Sequence, residues 1–507
     1  MRMCVAALTV ILPGLLTPDA GAAAPTYARE VAPILWKNCA GCHRPGEVGP
    51  FSLLTYPDAA KRADFLKQIT AERAMPPWKP EPGFGEFHDV RRLTDGEIAT
   101  IAAWADAGAP EGNPADLPTP PTFPDGWQLG TPDLVLEMSE PFEVPAGGRD
   151  VQRCFVIPIP TDSDRTVAAV EFRPGNARVV HHAIFYLDSN GAARRKDEAE
   201  PGPGYKAFGG PGIIPTGGLG GWAPGAMVRR LPEGTGKYLR KGSDLVLQVH
   251  YHPDGKPELD RSTVGIYFTR EPARTIVGGL AVRSRGINIP AGAKEHKVHA
   301  ESQPLPVPVS VIGLFPHMHN LGREMKVVAE VPGADPIPLI WIKDWDFNWQ
   351  GQYQYVEPVR LPRGTVIKLD AVYDNSEGNP KNPSSPPIAV HWGEQTTDEM
   401  CLLGIQVTAD TPADLRKIVA SAAGRLGAIL VGGPPLGGDE KPGAKGDKNG
   451  LPDLGPGFPI PERYRAILGR FDSNNDDLIS SAEIDAMPEP IKQRVVQALK
   501  SVLPGSD

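Results

Sequence analysis

The sequence predicts a multidomain protein in which a small all-α domain precedes antiparallel β-sandwich domains and a short α-helical tail follows them. A length of 507 residues argues for several folded units, because domains usually hold about 100–200 residues. Glycine (56) and proline (57) favour turns and short strands over helical bundles. A composition of 40% apolar and 22% charged residues excludes a disordered chain and a polytopic membrane protein.

The N-terminus has the pattern of an export signal. Arg2 precedes the apolar run 5–16, and the small residues 20–22 fit a cleavage site. We therefore expect a signal peptide over residues 1–22 and a periplasmic protein with no stable membrane span. A permanent anchor is the weaker alternative, because the run is short and is interrupted by Pro13. The net charge of −9 makes nucleic acid a poor partner.

Composition divides the remaining chain into segments. Thr94 and Glu97 form a capping-box pattern before an apolar-periodic stretch, which predicts a helix. Short alternating segments between turn signals predict strands later in the chain, over enough residues for two β-sandwiches. The predicted divisions are a helical region 26–115, a linker 116–130, a β region up to residue 425, a flexible linker 432–457 and a helical tail 461–507.

A C-x-x-C-H motif lies in the helical region. Cys39 and Cys42 are spaced for thioether bonds to heme vinyl groups, and His43 supplies an axial imidazole. The alternatives are a redox dithiol, which needs a preceding strand, and half of a zinc site, which needs a second thiolate pair. Met75, in a proline-rich loop, is predicted as the second axial ligand. The alternative is that Met75 is a core residue and that His88 is the second axial ligand. This segment resembles class I cytochromes c.

The β region contains a histidine doublet, His181 and His182. Adjacent strand residues point to opposite faces, so both can meet one metal only at a bulge or a strand end, or through different ring nitrogens.

Two further histidine pairs follow the doublet. His250 and His252 are two residues apart, as are His317 and His319, so each pair is predicted to share one face of a strand. Imidazole combined with thioether selects copper over calcium or magnesium, and a zinc hydrolase would more usually include a carboxylate.

The order of these motifs, followed by Asp398-Glu399-Met400-Cys401, resembles the copper type II, ascorbate-dependent monooxygenases, the family of peptidylglycine α-hydroxylating monooxygenase and dopamine β-monooxygenase. The resemblance covers about residues 130–425. It implies two jelly-roll-like antiparallel β-sandwiches, 131–280 and 281–425, with a boundary near 272–290. The implied ligands are His181, His182 and His250 for an electron-transfer copper, and His317, His319 and Met400 for the catalytic, oxygen-activating copper.

The resemblance implies a monooxygenase that hydroxylates a C–H bond of a small substrate with O2. Phe315 and Gly404 stand where the peptide-processing members have an arginine and a tyrosine, so a rather apolar substrate is expected. His252 has no counterpart in the family pattern and is expected to support the site or face solvent. Cys154 and Cys401 would fall in different sandwiches, which disfavours a mutual disulfide.

The fused heme is expected to pass electrons from a periplasmic donor, a small redox protein or reductant, to the copper sites. Two alternatives remain open at this stage. A copper and heme dehydrogenase would pass electrons from the substrate to the heme, and a non-catalytic protein would bind copper for electron transfer alone.

The tail contains an EF-hand pattern, which predicts calcium. The loop departs from the EF-hand pattern at its sixth position, where Asp477 replaces the usual glycine. The alternative interpretation is an acidic loop that caps a helix. The predicted ligands are Asp472, Asn474, Asp476, the Leu478 carbonyl and Glu483.

Overall fold

The computed structural model describes residues 24–124, 126–207, 210–393, 395–421, 458–459, 471, 478–479, 481–489, 491–493 and 495. The predicted signal peptide and the linker 432–457 lie outside these residues. The described chain forms two compact units, one from Met1–Pro77 and Arg91–Pro121 and one from Trp78–Val90 and Thr122–Asp507. No described helix is both long and apolar enough to cross a bilayer.

The first unit is helical. Its elements are a π-helical turn at Tyr27–Val31, α1 at Ala32–Asn38, α2 at Tyr56–Ala60, α3 at Ala63–Ala71, α4 at Asp95–Asp106 and a 3-10 turn at Pro114–Asp116. The capping box predicted for α4 is confirmed: Thr94 accepts from the Glu97 N–H, and Glu97 accepts from the Thr94 N–H at 2.7 Å. Ile101 and Trp104 are buried and mark the face of this helix that packs into the unit.

The second unit begins with two five-stranded sheets that face each other across one apolar core. The first sheet has the order β1-β11-β4-β8-β12, and the second has the order β6-β3-β9-β5-β7. Their strands are β1 Leu134–Glu137, β3 Val151–Pro158, β4 Arg165–Arg173, β5 Val180–Asp188, β6 Tyr205–Lys206, β7 Gly217–Trp222, β8 Thr235–Leu239, β9 Asp244–Tyr251, β11 Thr263–Phe268 and β12 Thr275–Ile276, with α5 Ala192–Ala199 and the pair β2 Phe142–Val144 and β10 Glu258–Asp260 beside them.

Two four-stranded sheets enclose the second β core. Their orders are β13-β22-β16-β19 and β15-β20-β17-β18. The strands are β13 Gly278–Ser284, β15 His296–Glu301, β16 Val309–His317, β17 Gly322–Glu330, β18 Ile337–Ile342, β19 Tyr353–Leu361, β20 Val366–Tyr373 and β22 Cys401–Ala409, with β14 Asn288–Ile289 paired to β21 Val390–His391 and α6 Pro412–Ala420 following. Beyond them, β23 Phe458–Pro459 pairs with β24 Leu478–Ile479, and α7 spans Ser481–Asp485.

The predominantly β architecture with several sheets is confirmed. The chain leaves the first pair of sheets at Ile276 and enters the second pair at Gly278. Residues 78–90 lie inside the predicted helical region 26–115, yet they belong to the second unit. The reason is aromatic packing, since Trp78 and Phe87 both contact Tyr353 at ring distances of 5.5 Å.

The central strand β9 is buried along its whole length, although an alternating strand was predicted. Leu245, Leu247 and Val249 face the core between the sheets. Val246 and Gln248 face the other side, which is covered by a smaller cluster that includes Tyr186. The outer face of this strand is therefore also enclosed, and it carries His250.

A lysine is buried between the sheets of the first sandwich. Lys237 on β8 is 6% exposed, and its Nζ donates to the Leu219 carbonyl of β7 in the facing sheet at 2.7 Å. Burial lowers the pKa of Lys237 to about 7. The unfolded chain binds this proton up to a higher pH than the folded chain does, so the lysine destabilises the fold near neutral pH.

Replacing Lys237 by methionine should raise the free energy of unfolding at pH 7 by roughly 2 kcal/mol or more. The gain should shrink as the pH rises from about 7 to about 10, because the unfolded lysine then also loses its proton. Urea unfolding of both proteins at the two pH values measures this difference. A variant that is less stable than the wild type at pH 7 would contradict the interpretation.

Candidate metal centre

The histidine doublet lies at a β-bulge. In the pairing of β5 with β9 the register shifts between Val180 and His182, so His181 is the extra residue. A bulge turns one side chain out of the normal alternation, which lets two adjacent residues face the same side. His182 stands directly opposite His250 across the two strands. A bulge, one of the arrangements that the sequence left open for the doublet, is thus present.

Three imidazoles converge at this bulge. Ligand nitrogens of His181, His182 and His250 all lie within 4.8 Å of one another, an arrangement that could hold a metal ion. The Nδ1 atoms of His181 and His182 are 3.1 Å apart. His250 is 3% exposed, and neither of its ring nitrogens has a hydrogen-bond partner among the described residues. Buried polar atoms without partners are costly, and a bound metal would satisfy them.

An aspartate lies against this set. The Asp150 Oδ2 atom is 3.1 Å from His250 Nε2, although the approach lacks the direction of a hydrogen bond, and Asp150 Oδ1 is 2.8 Å from His252 Nδ1. Burial alone would raise the pKa of Asp150, but His250, His252 and Thr396 outweigh it and hold the pKa below its usual value. His252 itself is 65% exposed and lies outside the converging set.

The second histidine pair lies at a strand end. His317 is the last residue of β16 and His319 follows in the turn, so the two do not share a strand face as the spacing predicted. Their ring centroids are nevertheless 5.1 Å apart.

Hydrogen bonds fix which nitrogen each of these two rings leaves available. His319 Nδ1 lies 3.1 Å from the Asp398 carbonyl, which can only accept, so Nδ1 carries the proton. His317 Nδ1 lies 2.5 Å from Gln350 Oε1, and the Gln350 amide is oriented by donation from Nε2 to the Phe347 carbonyl. Both rings therefore keep the Nε2 lone pair for a ligand.

Met400 is tied to His319 through a buried carboxylate. Glu399 is fully buried, and its Oε2 accepts from the N–H groups of His319 at 2.9 Å and Met400 at 3.1 Å. Its Oε1 accepts from the Leu321 N–H at 2.6 Å. Burial raises the pKa of Glu399 to about 8, and the backbone donors oppose that rise. One side chain thus holds together the two segments that carry His319 and Met400.

Residues 345–350 form a bridging loop between β18 and β19. Trp345 donates from Nε1 to the His319 carbonyl at 3.1 Å, and Gln350 supports His317. Phe347 stacks on His181 at 4.7 Å and lies 5.5 Å from His319. Neither this loop nor Asp150 was predicted from the sequence, and Glu399 was recognised only as a member of the motif around Met400, without a role. The only local signal was the aromatic density of Trp345, Phe347 and Trp349, which predicts burial without naming a partner.

The residues that bear on substrate choice are cross-strand partners. Phe315 on β16 pairs with Gly404 on β22. The Phe315 ring lies nearly parallel to that of His317, at 11° and 6.4 Å. A half-buried phenyl group beside a residue with no side chain makes this part of the site apolar.

The heme motif follows α1 in the first unit. The N–H groups of Cys42 and His43 donate to the Cys39 carbonyl at 3.1 and 2.9 Å. His43 Nδ1 donates to the Phe51 carbonyl at 3.1 Å and leaves Nε2 available. Burial raises the pKa of Cys39 to about 12 and also raises that of Cys42. Two cysteines without a disulfide and an imidazole with a free Nε2 are the side chains that a covalent heme would require.

The remaining predicted ligands are less enclosed or lie elsewhere. Met75 follows α3 and is partly exposed, and His88 belongs to the second unit, where its N–H donates to Gln354. Of the calcium ligands, Leu478 lies in β24 and Glu483 is buried in the first turn of α7. The others, Asp472, Asn474 and Asp476, lie outside the described residues. Cys154 and Cys401 are unpaired and buried in different cores.

No protein-family model matches the chain, and no curated protein matches it. Among solved structures, that of infectious bursal disease virus Gx strain is 9% identical, with 58% of this chain and 76% of that chain covered and a TM-score of 0.17. The VP2 subviral particle of the same virus is also 9% identical, with coverages of 56% and 81% and a TM-score of 0.16. Similarities of this size assign neither a fold family nor a function.

Metal uptake at the His317 and His319 pair should depend little on pH between about 8 and 5, because these two imidazoles stay neutral in that range. Burial, with repulsion from neighbouring imidazoles, lowers the pKa of His181 and His319 to about 3, and burial lowers that of His317 to about 4. Competition titrations with Cu(II) at several pH values measure this dependence. A tenfold loss of affinity between about pH 7.5 and 6 would indicate ordinary histidines and contradict the prediction.

Gln350→Leu should weaken metal binding at the His317 and His319 pair by about tenfold or more, because the ring loses the acceptor that fixes its tautomer. Asn348→Ala is the matched control, since Asn348 is an exposed residue of the same loop whose side chain bonds only within the loop. Equal affinities for the two variants would show that Gln350 does not support the site.

Proposed function

We propose that this protein is a copper-dependent monooxygenase that hydroxylates a C–H bond of a small, rather apolar substrate with O2. Its electrons would come through a covalent c-type heme from a periplasmic donor. The observation that carries the proposal is the pairing of a converging three-histidine set with a second, differently supported histidine pair across the Phe347 ring.

The donor types of the two sets suit copper. His181, His182 and His250 offer three imidazoles. His317 and His319 would be joined by the soft thioether of Met400, whose backbone N–H shares the Glu399 carboxyl with the His319 N–H. When bound, copper supplies one-electron and O2 chemistry, and heme supplies electron storage. A soft, weak thioether ligand favours Cu(I), which assigns oxygen use to the set with Met400.

The side chains around the candidate ligands orient the imidazoles and exclude water. Gln350 and the Asp398 carbonyl fix the tautomers of His317 and His319, and Glu399 fixes the spacing between His319 and Met400. Phe347 fills the space between the sets with an apolar ring. A dry surrounding limits the loss of reactive species to water.

Phe315 and Gly404 support an apolar substrate. In their place a guanidinium and a phenol would hold a carboxylate, as the peptide-processing enzymes do, whereas a phenyl ring opposite a glycine offers only apolar contact. Peptidylglycine is therefore a disfavoured substrate, and compounds without an essential carboxylate are favoured.

Met400→Ile should abolish product formation while the heme can still be reduced, because only one copper loses a ligand. The wild type should bind two coppers and one heme. Reduced, copper-loaded protein is mixed with O2 and a library of small apolar compounds, and mass spectrometry detects products that have gained one oxygen atom.

Three results would contradict this proposal. Full activity of Met400→Ile would remove the assignment of O2 to that site. Heme reduction by substrate without O2 would support the dehydrogenase instead. Copper binding with neither product nor substrate loss across the library would leave an electron-transfer protein.

A further inference from the structure

The two histidine sets are joined by an aromatic contact. Phe347 stacks on His181 with an interplanar angle of 26°, and it meets His319 edge-on at 73°. The ring is 7% exposed, so packing rather than solvent determines its position. A movement of either imidazole therefore displaces the ring that the other imidazole contacts.

The bridging loop ties Phe347 to the second set by hydrogen bonds. Gln350 accepts from His317 Nδ1 and donates to the Phe347 carbonyl at 3.0 Å. Trp345 donates to the His319 carbonyl. The position of Phe347 thus depends on the His317 imidazole, through Gln350, and on the His319 backbone, through Trp345.

A polar connection runs beside the aromatic one. Asp150, which contacts His250, accepts from Thr396 Oγ1 at 2.9 Å. The Thr396 carbonyl accepts from the Asn320 side chain at 3.0 Å, and Asn320 follows His319 in the chain. Asp150 belongs to the first sandwich and Thr396 to the second, so the hydrogen bond between Thr396 and Asp150 also links the sandwiches.

From these contacts we infer that Phe347 is a positioning residue that makes metal binding at the two sites cooperative. The inference rests on the proposed function in requiring that both sets bind copper. Metal at one site fixes its imidazoles, and through Phe347 it restricts the imidazole that faces them. The side chains of the second set are then already partly ordered. The second metal therefore binds at a smaller cost in conformational entropy.

The test is a thermodynamic cycle with Cu(II) on the full chain, measured by competition with a chelator. The overall affinity of the wild type for two ions is compared with the product of two single-site affinities. These come from the double variants His181→Ala with His182→Ala and His317→Ala with His319→Ala. We expect the wild type to exceed the product by about fivefold or more.

The ratio of the overall affinity to the product of the single-site affinities is the coupling factor. Phe347→Leu should bring the coupling factor to within about twofold of unity, and Thr396→Val should lower it in part. Phe172→Leu is the control, because Phe172 is equally buried but packs against Phe185 and Trp222 in the first core. It should keep the wild-type factor. If Phe347→Leu does not fold, Phe347→Met serves, since a flexible thioether fills the volume without a ring.

Two outcomes overturn the inference while both single sites still bind Cu(II). One is a wild-type coupling factor of unity, and the other is a coupling factor in Phe347→Leu that equals that of the wild type. Failure of either single-site variant to bind Cu(II) is a different result, because it overturns the proposed function and the coupling with it.

Discussion

The enclosure of five imidazoles, three of them buried and two half-buried, where two β-sandwiches face each other is the constraint on which the rest of this region depends. A buried polar atom without a partner costs about 1–3 kcal/mol, so each ring nitrogen needs either a hydrogen bond or a ligand. His317 and His319 use one nitrogen each in this way. His250 uses neither, which makes the first set the more dependent on a metal.

The β architecture meets this demand by placing ligands where strands depart from regularity. His181 lies at a bulge in β5, and His317 lies at the last position of β16. A regular strand would point adjacent or alternate residues along fixed directions, whereas a bulge or an end can redirect one side chain without breaking the sheet. The sheets keep their pairing on either side, and their irregular positions carry the histidines.

The groups that support the ligands come from loops and from the facing sandwich. The bridging loop supplies contacts to three of the histidines, and its approach to the first sandwich requires a small partner. A Cβ at Gly225, where φ is +78°, would lie 3.0 Å from the Trp349 ring. Gln352 adds a hydrogen bond to the Gly221 carbonyl at 2.7 Å. Close contact between the sandwiches thus fixes the separation of the two histidine sets.

The sequence alone determined the features that depend on local order. The capping box of α4 and the strands around Leu134, Thr166 and Leu245 follow from neighbouring residues and their periodicity. The adjacent histidines left open a bulge, a strand end or different ring nitrogens, and the structure chose the bulge. The tertiary structure alone decided which remote groups meet. Asp150, which precedes β3, reaches His250 through the pairing of β3 with β9, and the bridging loop carries Gln350 to His317. Packing of the two sandwiches places Phe347 against His181. The burial that shifts the histidine pKa values has the same origin, since solvent exclusion is a property of the assembled interface and not of any segment.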